Sequence, residues 1–132
     1  MIEVNSVGEL NKVVDCIKNS GKNIIILSGN LGSGKTTLVK EFVKSLGIDE
    51  SVTSPTFSLQ NVYSNKIYHY DLYNKTKEDF LALGLLEELE KEGYHFLEWG
   101  EDLEDILRLY GLDFLRVNIS VDGKKRIFEC QN

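Results

Sequence analysis

The run Gly29-Asn-Leu-Gly-Ser-Gly-Lys-Thr36 constrains this chain more than any other stretch, because it matches G-x-x-x-x-G-K-[ST] at each fixed position. Its flanks fit as well. Residues Asn23 to Ser28 are short, apolar and β-branched, which predicts a buried strand. Residues Thr37 to Leu46 place Leu38, Phe42 and Leu46 at helical spacing, and Gly47 follows as a stop. Strand, glycine loop and helix are the arrangement that a phosphate-binding loop needs. Glycines let successive N–H groups turn inward toward phosphate oxygens, and the new helix adds its unpaired N–H groups and dipole. At that spacing Lys35 reaches the β- and γ-phosphates, and the Thr36 hydroxyl ligates Mg²⁺. The sequence therefore predicts a nucleotide-phosphate site.

The 132 residues suffice for one domain with a real core, so residues 1–132 are expected to form a single P-loop domain. Net charge is −6, and all three arginines (Arg108, Arg116, Arg126) lie beyond residue 100. That balance argues against direct binding of DNA or RNA, which calls for a basic face. Cys16 and Cys130 have no metal-ligand spacing and are expected as buried free thiols. With no signal peptide and no membrane-length apolar run, the expected location is the cytoplasm.

Residues Ile2 to Val4 predict a short strand, and Ser6-Val-Gly-Glu9 fits a capping box for a helix closed by Gly21. Residues Ser51 to Phe57 hold the only proline, Pro55, and four hydroxyls. They form either a polar connector or a switch-like loop sensing the γ-phosphate or metal. Ser64-Asn65-Lys66 joins two aromatic-rich strands into a hairpin. On the second strand, His69 is expected as a packed, hydrogen-bonded residue. Asp71 either caps a turn or faces a cation or water in the phosphate site, since an unpaired buried charge is costly. Thr76 to Asp79 caps a helix that Gly84 breaks, with Glu87, Glu88, Glu90 and Glu92 on a solvated face. Tyr94 to Trp99 is an apolar strand ending in an acid, the form in which P-loop proteins deliver a carboxylate to Mg²⁺. Glu98 is the candidate and Glu101 its competitor; Trp99 is expected in core or rim packing, and His95 has no evident partner. A last hairpin turns at Asp122-Gly123, from which Lys124, Lys125 and Arg126 could approach the nucleotide, though a solvated turn is the expectation. Helices alternating with strands, then hairpins, predict an α/β three-layer P-loop NTPase domain with a mixed parallel/antiparallel sheet. Its parallel strands should be central, with phosphates at their carboxyl ends.

In order and spacing, G-N-L-G-S-G-K-T-T, T-S-P-T-F, Y-H-Y-D-L-Y, L-G-L and F-L-E-W-G-E resemble the TsaE (YjeE) family over nearly the whole chain. These are small bacterial P-loop ATPases required for the threonylcarbamoyladenosine modification of tRNAs that read codons starting with A. The resemblance implies that Gly32, Ser33, Gly34, Lys35, Thr36 and Thr37 hold the phosphates of ATP, and that Thr36 and Glu98 hold Mg²⁺. Asp71 would be the carboxylate on which activity depends, beside Lys35 and Glu98. Thr53, Ser54 and Thr56 would lie in a loop that responds to nucleotide state, and Asn5 and Ser6 would lie near the base. The family acts with the TsaB–TsaD pair, so contact with tRNA is expected to be indirect, with no role for membrane or DNA. Two positions depart from the family pattern: Asn74 stands where Arg is common, and Gly100 where Pro is common. No arginine adjoins the loop in sequence, which implies slow turnover alone and acceleration by partners. Two other readings remain open. One is a small-molecule kinase, disfavoured because residues 40–100 lack arginine; the other is a nucleotide-dependent binding or regulatory module whose hydrolysis is incidental.

Overall fold

The computed structural model describes residues 1–30, 32–53 and 59–131. Among the described residues, seven strands form one sheet: β1 (Ile2–Val4), β2 (Ile24–Ser28), β3 (Gln60–Tyr63), β4 (Ile67–Asp71), β5 (Tyr94–Glu98), β6 (Leu115–Asp122) and β7 (Lys125–Gln131). Their order is β1-β7-β6-β2-β5-β4-β3. The middle four (β6, β2, β5, β4) run parallel, while β3, β7 and β1 attach antiparallel to their neighbours. The sheet is thus mixed, with its parallel strands central, as expected from the sequence. A continuous apolar run such as Ile24-Ile-Ile-Leu27 suits a strand buried on both faces, and all four residues are buried.

One face carries α1 (Asn11–Ser20) and α2 (Lys35–Ser45); their Val13, Val14, Ile17, Leu38, Val39, Phe42 and Val43 pack on Ile25, Leu27, Phe96 and Val117. Phe42 meets Phe96 and Tyr94 edge-on, with ring centroids 4.9 and 4.7 Å apart. The other face carries α3 (Lys77–Ala82), α4 (Leu85–Glu88) and α5 (Glu104–Leu109), whose Phe80, Leu85 and Leu107 cover Ile26, Tyr68, Tyr70 and Leu97. Since β residues alternate faces, Ile67, His69 and Asp71 of β4 and Tyr94, Phe96 and Glu98 of β5 share the α2 side. No helix among the described residues is long and apolar enough to cross a membrane.

Several local signals form as their chemistry dictates. Ser64 and Asn65 take left-handed φ values of 50° and 53° in the β3–β4 turn. Thr76 and Asp79 close a reciprocal capping box, and Gly84 at φ 71° separates α3 from α4. The capping box expected at Ser6 does not form. The Ser6 side chain caps nothing, Val7–Glu9 is a 3-10 turn, and α1 begins at Asn11. The Glu9 carboxylate accepts instead from the Asn5 N–H at 3.4 Å. The last hairpin also turns one residue later than expected, on Gly123 and Lys124. The cysteines are free and only partly buried, and burial together with the Cys16 thiol pushes Cys130 up to about 12.

His95, which showed no partner in sequence, has two. Its Nε2 donates to the Lys91 carbonyl at 2.9 Å, so Nδ1 is an acceptor and takes the Tyr70 hydroxyl proton at 2.8 Å. The ring stacks on Tyr68 at 4.4 Å. Burial pushes the Tyr70 hydroxyl above its usual range, keeping it a donor, and lowers His95 from 6.5, keeping it neutral. Below about pH 6.5 the unfolded chain binds this proton while the folded chain still resists it, so His95 adds stability above that pH and loses it as pH falls. Urea midpoints from about pH 8 down to about pH 5.5 should therefore decline more steeply for the wild type than for His95→Gln. Parallel declines would contradict the buried neutral ring.

Candidate functional site

The glycine loop leaves the carboxyl end of β2, between the ends of β5 and β6, and enters α2 at Lys35. This is the end of a parallel sheet at which ligands bind. Gly34 caps α2 at φ 109°, a value that a side chain would strain. Gly29 is tight for another reason. A Cβ there would lie 2.7 Å from Ser33 Oγ and 2.8 Å from the Ile119 carbonyl oxygen, so the loop packs directly on β6.

Two cavities meet on this loop and share Gly32, Ser33, Gly34 and Thr37. The first, of about 280 Å³, is walled by apolar Val4, Val7, Leu10 and Phe128, with Asn5, Ser6, Lys124 and Arg126 as its polar groups. The second, of about 320 Å³, is lined by Lys35, Thr36, Asp71, Tyr73, Glu98 and Trp99. Asn5 and Ser6, expected near a base, thus adjoin the loop, and each expected phosphate residue lines at least one cavity.

In the second cavity, register places Asp71 directly beside Glu98 at the ends of neighbouring parallel strands. Glu98 is almost fully buried. Its Oε2 accepts the Thr36 hydroxyl at 2.8 Å and also meets His69 Nε2. A hydroxyl and a carboxylate side by side are hard oxygen donors that suit a Mg²⁺ ion completing its shell from phosphates and water. Glu101, the competitor, instead lines a separate cavity with Lys75, Thr76 and Asp105, and its charge still acts on Lys35. Asp71 caps a turn, one of the two roles the sequence allowed, and its place in the second cavity is compatible with the other. It accepts the Tyr73 N–H at 3.0 Å in a turn, and it faces the cavity.

The Lys35 ammonium donates to the carbonyls of Gly29 and Asn30 and sits 3.8 Å from the centre of the Trp99 ring. Desolvation lowers its pKa, and Glu98, Glu101 and Asp71 pull it back up, in that order. Trp99 holds φ 62°, an outlier for a large aromatic at the rim of the cavity. Thr53 lines neither cavity. Its carbonyl accepts from Asn61 Nδ2 at 3.0 Å and from the Tyr63 hydroxyl at 3.3 Å. Ser54 and Thr56 lie outside the described residues.

Lys124 and Arg126, for which the sequence favoured a solvated turn over an approach to the site, line the first cavity, Lys124 while still exposed and Arg126 half-buried. Arg126 Nε donates to the Ser33 carbonyl at 3.1 Å across 93 positions, so an arginine does adjoin the loop in space. The available signal was a Lys-Lys-Arg run at a hairpin in an acidic chain; what hid its role was the pairing of β7 with β1. The departures from the family pattern have local causes. Asn74 sits at φ 60°, which asparagine tolerates, and a Cβ at Gly100 would lie 3.0 Å from Leu97 Cβ. Gly100 therefore relieves packing and does more than soften the turn.

Residues 4–128 match the family model for "Threonylcarbamoyl adenosine biosynthesis protein TsaE". A Treponema pallidum protein named tRNA threonylcarbamoyladenosine biosynthesis protein TsaE is 36% identical over 108 residues, spanning 80% of this chain and 79% of that one. A Rickettsia felis protein of the same name is 34% identical over 135 residues, spanning 96% and 77%. The crystal structure of Bacillus subtilis YdiB matches with a TM-score of 0.69 over 96% of this chain and 80% of that chain, and at 24% identity it shows a shared fold.

The close packing at Gly29 gives a direct check. Gly29→Ala should lower stability by about 1–3 kcal/mol, because the Ile119 carbonyl cannot step aside without moving β6. An unchanged urea midpoint would show that the loop does not rest on β6.

Proposed function

The chain belongs to the TsaE family of threonylcarbamoyl adenosine biosynthesis proteins, and we propose that it serves that process as a Mg²⁺-dependent ATP-hydrolysing component. The observation that carries this reading is the pair of cavities joined by one glycine loop, apolar on one side and charged on the other. An adenosine laid against Val4, Val7, Leu10 and Phe128 continues naturally into phosphates held by Gly32 to Thr37. Lys124 and Arg126 add positive charge on the nucleoside side, and Lys35 adds it on the far side.

Phosphoryl transfer asks a protein mainly for placement and charge neutralisation. Lys35 would leave the Gly29 and Asn30 carbonyls for the β- and γ-phosphates. Thr36 and Glu98 would hold Mg²⁺, which supplies charge neutralisation across those phosphates when bound. Asp71, one register step across from Glu98, would orient the attacking water or couple the β3–β4 hairpin to the nucleotide. The reading extends to a cytoplasmic protein working with the TsaB–TsaD pair and meeting tRNA through that complex, consistent with an acidic chain.

Phosphate release from ATP and Mg²⁺, with and without the TsaB–TsaD pair, tests it. Release should be slow alone and faster with the pair, and Lys35→Ala and Glu98→Ala should each lower it by about 100-fold or more. Full activity in both variants would overturn the mechanism. Nucleotide binding without any stimulation, together with a hydrolysis-dead variant that supports full modification, would make the chain a nucleotide-dependent binding module.

A further inference from the structure

His69 is fully buried and lines neither cavity that meets on the glycine loop, yet it touches the most constrained carboxylate of the site. In the β4–β5 register it lies opposite Phe96, and Glu98 is the diagonal neighbour two residues further on. Alternation puts both side chains on the α2 face, so the ring can reach forward along the strand to Glu98. Its Nε2 meets Glu98 Oε2, the same oxygen that accepts the Thr36 hydroxyl at 2.8 Å.

The other ring nitrogen decides which form the ring takes. Nδ1 is buried and has no hydrogen-bond partner among the described residues. A proton there would be a buried, unpaired donor, whereas a bare lone pair is the cheaper orphan. A proton on Nε2 with none on Nδ1 satisfies both ends, since Nε2–H then donates to a carboxylate that needs donors because it is buried. Two donors on one oxygen, from two different structural elements, fix the rotation of the carboxylate about its last bond. Either donor alone would leave that rotation loose.

We propose that His69 is a positioning residue for Mg²⁺: its Nε2–H holds Oε2 of Glu98, so that Oε1 is the oxygen kept for the metal or its water. The inference rests on the reading of Thr36 and Glu98 as the metal pair. It assigns His69 no contact with nucleotide and no proton transfer. Partners of ligating carboxylates typically change metal affinity or activity by about 10–100-fold when lost, without changing the ligands themselves.

The test compares wild type with His69→Gln, whose amide can still donate near the Nε2 position, and with His69→Leu and His69→Asn, which remove that donor. Equilibrium binding of a fluorescent, non-hydrolysable ATP analogue is measured without metal and across a Mg²⁺ titration, with urea midpoints recorded for each chain. Mn²⁺ binding to the nucleotide complex is followed by electron paramagnetic resonance. For Leu and Asn the half-saturating Mg²⁺ and Mn²⁺ should rise by about 10–100-fold while metal-free nucleotide affinity stays within about twofold, and Gln should recover most of the loss. Should Leu fail to fold, the Asn and Gln pair carries the same comparison. Unchanged metal dependence in both the Leu and Asn variants would overturn the role of His69. So would an equal loss with and without metal that Gln fails to repair, which marks a purely structural residue. A wild-type chain whose nucleotide binding ignores Mg²⁺ would overturn instead the underlying assignment of Thr36 and Glu98.

Discussion

A carboxylate buried at the end of a central strand is costly unless donors surround it, and Glu98 is such a group. Its two donors come from different places: the Thr36 hydroxyl from the first turn of α2, and the His69 ring from the neighbouring strand. Together they tie the start of the loop helix to β5 and β4. The geometry of the charged cavity follows from that tie. Asp71 is carried to the same level by parallel register, Lys35 lies one position before Thr36, and Trp99 turns sharply away to cover the lysine.

The apolar cavity is built on different physics. Here β1 and β7 pair antiparallel, and the chain leaving β1 at Asn5 is laid against the glycine loop. Arg126 pins the loop from below by its bond to the Ser33 carbonyl, while Gly29 lets the loop close on β6 without a side chain in between. One side of the loop is held by charge and register, the other by apolar walls and a long-range hydrogen bond. A nucleotide has the same division, with a flat apolar base at one end and anionic oxygens at the other.

Local chemistry made much of this legible in the sequence. Strand, loop and helix around residues 29–36, the Ser64-Asn65 turn, the Thr76–Asp79 box and the break at Gly84 depend on neighbours within a few residues, and each formed as expected. The Ser6 capping box failed because Glu9 found the Asn5 N–H instead, leaving Ser6 to line the cavity. Lys124 is exposed in its turn as expected, but the bond of Arg126 to the loop was hidden because nothing local tells a hairpin which edge strand will join it. His69 is packed and hydrogen-bonded as expected, but its partner Glu98, like the Tyr70 and Lys91 partners of His95, is set by sheet register and faces and was not legible locally. The loop motif gave the site its place, and the pairing of distant strands gave it most of its charged groups.

Where a metal sits relative to Thr36 and Glu98 decides whether this cavity is a Mg²⁺ and phosphate site. A crystal structure with a non-hydrolysable ATP analogue and Mn²⁺, located by its anomalous signal, measures this directly. The metal should bind the Thr36 hydroxyl oxygen and meet Glu98 directly or through one water, with the adenosine in the Asn5–Arg126 cavity. A metal held by Asp71 or Glu101 away from Thr36, or a nucleotide seated off the glycine loop, would contradict it.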